Sequence, residues 1–170
     1  MSNMIYIISK DNKARFALGT KGQNTLVIFG INPSTATDVE FDATIRKVKQ
    51  FAENWSFDSW LMLNIYPQRS TDPAQLNRVL NTGLHDTNLE IIQDTLSDLN
   101  AYTLCAAWGV NIDIRPYLRK CLYDISKDMP TNAQWKNIGP LTQGGHPKHP
   151  SRLPYSLQLE DFNLYSYLDS

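Results

Sequence analysis

Cysteine is scarce in this chain. Cys105 and Cys121 are the only two in 170 residues, too few for a disulfide framework or a cysteine-built metal site. Both fall in apolar stretches that read as a core strand and a core helix, so reduced buried thiols are expected. No apolar run approaches the roughly 20 residues that cross a bilayer, and the amino-terminal segment has no signal-peptide pattern. The expectation is a cytoplasmic protein with no membrane partner. Net charge is only −1 and the pI is near 6.3, which argues against a protein that coats duplex nucleic acid. The sequence has no Gly-x-x-x-x-Gly-Lys-Ser/Thr loop, no Gly-x-Ser-x-Gly elbow and no His-Glu-x-x-His pair. Repeats, low-complexity stretches and linkers are also missing, so residues 1–170 read as one domain.

Hydrophobic residues make up 42% of the chain and charged residues 19%, which fits a globular domain with one substantial core. Residues 4–8 and 14–18 alternate like a hairpin around Asp11-Asn12. The run Leu26-Val27-Ile28-Phe29 reads as a buried strand over 25–29, and 60–65, 102–108 and 135–142 read as further strands. Helices are expected over 43–54 behind an Asp42 cap, over 73–80, over 84–99, and over 115–126 with Pro116 in the first turn. Inner strands separated by helices imply an α/β fold with a mainly parallel sheet and helices on both faces.

Chemistry-bearing residues gather where strands end. Gly30 allows a sharp exit from its strand, and Pro33 stiffens a loop that holds Asn32 and Ser34. Open α/β sheets bind ligands at that carboxyl edge. A second polar loop, Tyr66 to Pro73, follows the next inner strand and carries Gln68 and Arg69. A third gathers His146, Lys148, His149, Ser151 and Arg152 within seven positions. Between Asp113 and Arg152, seven Lys/Arg (115, 119, 120, 127, 136, 148, 152) stand against three acids (Asp113, Asp124, Asp128). Either a phosphate-facing patch or a solvated helix face produces that balance.

These segments resemble a bacterial and phage family known as domain of unknown function 1643. The resemblance rests on Arg15-Phe16-Ala17-Leu18, Gly30 to Ala36, Asp42 to Arg46, Asn64 to Pro73, Ala106-Ala107-Trp108-Gly109 and His146 to Pro150, and covers about residues 15–154. A more distant resemblance links three tripeptide-scale motifs to uracil-DNA glycosylase-like proteins. Gly30-Ile31-Asn32-Pro33 is similar to their first motif, His149-Pro150-Ser151 to their second, and Trp108-Gly109 to a strand end between the two. That resemblance implies a three-layer α/β/α sandwich around a mainly parallel sheet, preceded here by the small hairpin. It also implies a nucleobase-containing ligand, a nucleotide or nucleic acid, and N-glycosidic hydrolysis without cofactor or metal.

Under that reading Asn32 orients a water or binds a base edge, or else ties down its own turn. His149 donates a hydrogen bond to the departing base, or else caps its loop. Gly30, Ile31, Pro33, Ser34, Gln68, Gly109, His146, Ser151 and Arg152 are expected around the ligand, with Ser34, Ser151 and Arg152 as phosphate contacts. Arg69 is expected to grip an anion, and Tyr66, Trp108 and Phe29 to stack on a base or pack in the core. The chain departs from the glycosylase pattern in having Ser34 where Gly is usual, in lacking the first motif's carboxylate, and in following His149-Pro150-Ser151 with Arg152-Leu153. Asp38, Glu40 and Asp42 follow the first motif as candidates to supply the missing carboxylate, Asp42 being also the expected helix cap. The competing class is a non-catalytic nucleotide or modified-base binding module.

Overall fold

The computed structural model describes residues 3–170, a mixed α/β structure built on a seven-stranded sheet. The strands are β1 (Met4–Ile8), β2 (Arg15–Thr20), β3 (Asn24–Gly30), β4 (Ser59–Asn64), β5 (Ala101–Ala106), β6 (Trp135–Ile138) and β7 (Leu159–Asp161). The helices are α1 (Ala43–Asn54), α2 (Thr82–Ser97), α3 (Tyr117–Lys127) and α4 (Leu164–Leu168). Strand order is β1-β2-β4-β3-β5-β6-β7; the four inner strands β4, β3, β5 and β6 are parallel, and the outer pairings are antiparallel.

Strand alternation sorts the core into two layers. Leu26 and Ile28 of β3 pack with Ile45, Val48 and Phe51 of α1, whereas Val27 and Phe29 pack with Ile92 of α2 and Leu118 and Leu122 of α3. In α1 the apolar positions recur at helical spacing, and Asp42 Oδ1 accepts the Ile45 N–H at 2.9 Å to start the helix. On the opposite layer His85 Nε2 lies 2.9 Å from Asp124 Oδ2 and ties α2 to α3.

This layering creates the crevice. The chain leaves β3 toward α1 on one face, while from the neighbouring β5 it leaves toward α3 on the other. Loops that diverge from adjacent strand ends leave a gap at the carboxyl edge. The antiparallel β2 adds to it, because pairing Leu18 with Met62 and Gly19 with Leu61 carries the first residue of β2 to the carboxyl end of β4. There the Arg15 N–H donates to the Pro67 carbonyl at 3.0 Å.

Some expected elements change. The helix expected over 73–80 is a 3-10 turn of Pro73–Gln75, because Leu76 turns to an extended ψ of 149°. The strand expected to reach 142 stops at Ile138, where Gly139 adopts a φ of 63° ahead of Pro140. It is not the final strand: β7 pairs antiparallel with β6, and α4 follows it. Among the described residues no helix is long and apolar enough to cross a membrane.

Candidate functional site

A cavity of about 350 Å³ occupies the crevice. Its floor is the end of β3 and the loop after it, from Gly30 to Ser34. Arg15, Met62, Trp108 and the first turn of α1 wall it on the strand side, and His149 faces them from the far loop. Asn32 and His149 therefore meet in one cavity, and Asp42 lines it too, as its one carboxylate.

Asn32 has its carboxamide nitrogen fully engaged. Nδ2 donates to the carbonyls of Ser70 (2.9 Å), Pro33 (3.0 Å) and Gln68 (3.3 Å), binding the β3 loop to the β4 loop. Three carbonyls around one atom require the NH₂ there and leave Oδ1 as the acceptor for anything in the cavity. Asn32 thus does tie down its own turn, and one atom remains for chemistry.

His149 caps the 3-10 turn Pro150–Arg152, with Nδ1 accepting the Ser151 N–H at 3.3 Å and lying 2.9 Å from Ser151 Oγ. An Nδ1 that accepts carries no proton, so the neutral ring keeps its proton on Nε2, where it is a donor. The residue retains exposed surface, yet its ring stands in the cavity wall. Desolvation there lowers its pKa, with the Asp42 carboxylate pulling the other way. Its NMR titration midpoint is expected below 6.5, and lower still in Asp42→Asn, which keeps the helix cap and removes the opposing charge. A midpoint at or above 6.5 contradicts this environment. Because the unfolded chain takes up the proton first, stability from this group is complete above 6.5 and declines as pH falls below it.

Several expected ligand contacts are instead part of the scaffold. Tyr66 is fully buried; its hydroxyl accepts from Asn77 Nδ2 (2.8 Å) and the Asn81 N–H (3.2 Å), and its ring packs on Tyr117. Gln68 Oε1 accepts the Asn77 N–H. Arg69, expected to grip an anion, donates instead to the Ser34 and Ala36 carbonyls, Asn12 Oδ1 and the Tyr6 hydroxyl, clamping the β3 loop to the hairpin. Phe29 lies in the core against Trp135. Trp108 touches the cavity but is 1% exposed, wedged among Trp135, Phe162 and Tyr167.

His146, Gly109, Ser151 and Arg152 do not line the cavity. His146 Nδ1 lies 2.7 Å from the Tyr167 hydroxyl, which accepts from Trp108 Nε1 at 3.1 Å. Gly109 at φ 68° donates its N–H to the Pro147 carbonyl, drawing the histidine loop against the end of β5. Four of the seven bases in the basic stretch are ion-paired: Arg119 with Asp113, Lys120 and Lys127 with Asp124, and Lys136 with Asp161. Among the described residues no group of three or more His, Cys, Asp or Glu is placed to hold a metal ion.

Two residues outside the expected set have buried groups at the crevice. Arg15 is 2% exposed and lines the cavity. Asn64, paired with Gly30 across the β3–β4 ladder, is fully buried with neither amide atom hydrogen-bonded. A Cβ on Gly30 would lie 2.7 Å from Met62 Cε and 3.1 Å from Asn64 Oδ1, so this glycine provides room rather than a bend. The signal for Arg15 was a lone charge opening an otherwise apolar strand, Arg15-Phe16-Ala17-Leu18.

Residues 15–151 match the family described as Protein of unknown function (DUF1643). No curated protein matches the chain, and no solved structure does.

Proposed function

Because the chain belongs to the DUF1643 family of proteins of unknown function, we propose its activity from the chemistry of the cavity: it binds a nucleobase-containing ligand and hydrolyses the N-glycosidic bond. The observation that carries this reading is the meeting of Asn32, His149 and Asp42 in one cavity. The order of motifs along the strand ends further supports kinship with uracil-DNA glycosylase-like folds.

Breaking an N-glycosidic bond develops positive charge on the sugar and negative charge on the leaving base. His149 Nε2–H donates to the base oxygen that gains charge, the kind of preorganised donor that strengthens as the bond breaks. Asn32 Oδ1 holds a water hydrogen and aims its oxygen at the sugar carbon. Asp42 uses Oδ1 to cap α1, leaving Oδ2 to face the developing cation and accept a proton from the attacking water. The C–N pair departs with the base, water oxygen forms the new C–O bond, and the proton reaches the base or bulk solvent.

A binding module without catalysis is the second reading. It is favoured by the fact that the Asn32 nitrogen and one Asp42 oxygen are already engaged by the fold. Incubation with uracil-, hypoxanthine- and mismatch-containing oligonucleotides and with free nucleotides, followed by chromatography, separates the two. Free base from at least one class supports hydrolysis. Saturable binding with no base released supports the module, and neither binding nor release overturns both.

A further inference from the structure

We propose that Arg15 and the first turn of α1 form an anion subsite within this cavity, built for the phosphate of a nucleotide. It rests on the reading that the ligand carries a nucleobase, and adds which part of that ligand the cavity grips first.

A structural arginine is recognisable here because the protein contains two. Arg69 makes four hydrogen bonds to protein acceptors. Arg115 donates to the carbonyls of Asn77, Ile114, Ala74 and Leu76. Arg15 is more buried than a clamp needs to be, at 2% exposure, and makes one bond, Nη1 to the Ala36 carbonyl at 3.2 Å. Its Nε is buried with no partner, and among the described residues no carboxylate lies within ion-pair distance. A guanidinium has five donors, and burying one without a counter-charge is costly.

The surrounding charge accentuates the imbalance. Arg69 donates to the same Ala36 carbonyl at 3.1 Å, so two guanidinium groups converge on one oxygen. Burial and Arg69 push Arg15 down to about 10, with Asp42 and Tyr6 opposing. Asp42 is the one carboxylate in the cavity wall, which leaves the pair of arginines one positive charge in excess.

The twelve-residue α1 opens into the same space. Its Ile45 N–H is taken by Asp42, while Ala43 and Thr44 line the cavity and their N–H groups have no acceptor among the described residues. Helix amino termini of this kind favour anions. Ser34 and Thr71 line the same wall, and neither hydroxyl has a protein partner. Donors from a strand, a helix and two loops surround a tetrahedral oxygen group better than the flat pair of oxygens of a carboxylate.

The test is calorimetric titration of the full chain with inorganic phosphate, a nucleoside 5′-monophosphate, the matching nucleoside and a dinucleoside monophosphate. The monophosphate is expected to bind at least about tenfold tighter than the nucleoside, as a charge-assisted contact implies. Arg15→Gln should abolish that advantage, bringing nucleotide and nucleoside affinities within about twofold of each other, and Arg15→Lys should retain part of it. Thermal melts accompany each variant; if Arg15→Gln does not fold, Arg15→Lys decides, since loss of the guanidinium fork alone should lower phosphate affinity. Equal affinity for nucleotide and nucleoside overturns the subsite, as does an advantage that persists without Arg15. A preference for the dinucleotide identifies a strand phosphate as the source, and a preference for the monoester a free nucleotide. Arg15-dependent binding of inorganic phosphate with no affinity for any nucleobase compound keeps the subsite and sinks the nucleobase reading. Base release with no phosphate advantage does the reverse.

Discussion

His149→Ala is expected to lower turnover about a hundredfold on whichever nucleobase substrate the chain accepts, and Asn32→Ala by a similar factor, the scale of losing one preorganised group. Under the proposed hydrolysis both effects should appear in kcat more than in KM, because a donor at His149 and an acceptor at Asn32 would act most strongly once charge has separated. Folding should survive the first change, which removes only the cap of a three-residue turn, Pro150–Arg152. Removing Asn32 also releases the carbonyls of Pro33, Gln68 and Ser70, so its variant needs a melt alongside the rate. Base release that persists in both variants removes these residues from the chemistry. A rise in KM with kcat unchanged assigns them to binding alone.

Gly19→Ala should destabilise the fold by about 3 kcal/mol, near the upper end for an overpacked position. A Cβ there would stand 2.3 Å from the Trp60 carbonyl oxygen and 2.7 Å from Leu61 Cα, and backbone in a paired strand has little room to yield. In a chain of this size that corresponds to a melting temperature lower by roughly 10 °C. Gly83→Ala is the control: in α2 its Cβ would meet nothing closer than 3.6 Å, so it should be neutral or slightly stabilising. The Gly19 change has a second effect. β2 and β4 must stay in register to hold Arg15 at the strand ends, so phosphate affinity should fall with the pairing. A melt unchanged from wild type contradicts so close an approach of β2 to β4.

Much of the architecture is legible before the chain folds. Leu26 to Phe29 is apolar without interruption because β3 is covered on both faces, and Ile45, Val48 and Phe51 keep helical spacing because α1 covers one of them. The meeting of the Asn32 and His149 loops also follows from the pattern, since each trails an inner strand. What composition does not reveal is where a long polar side chain points. Arg69 and Tyr66 stand in a loop that looks ligand-facing, yet both turn inward to partners supplied by the hairpin and by the segment after Pro73. Arg15 is the converse case, a strand residue whose place at the cavity depends on an antiparallel pairing between distant segments. The short β7, Leu159-Glu160-Asp161, escapes notice because three residues with two acids show no alternation.

The two outermost strands have a consequence for how copies of the protein treat one another. An open sheet invites a stranger's strand to continue it, and hydrophobic parallel strands such as β3 are the most hazardous surfaces to leave unpaired. Here the margins are β1, five residues long with a register break at Ile7/Ile8, and β7, three residues long and carrying Glu160 and Asp161. Neither offers the long flat ladder on which aggregates grow. The acidic pair Glu160-Asp161 on β7 is in this sense a guard, keeping a concentrated protein from stacking edge to edge.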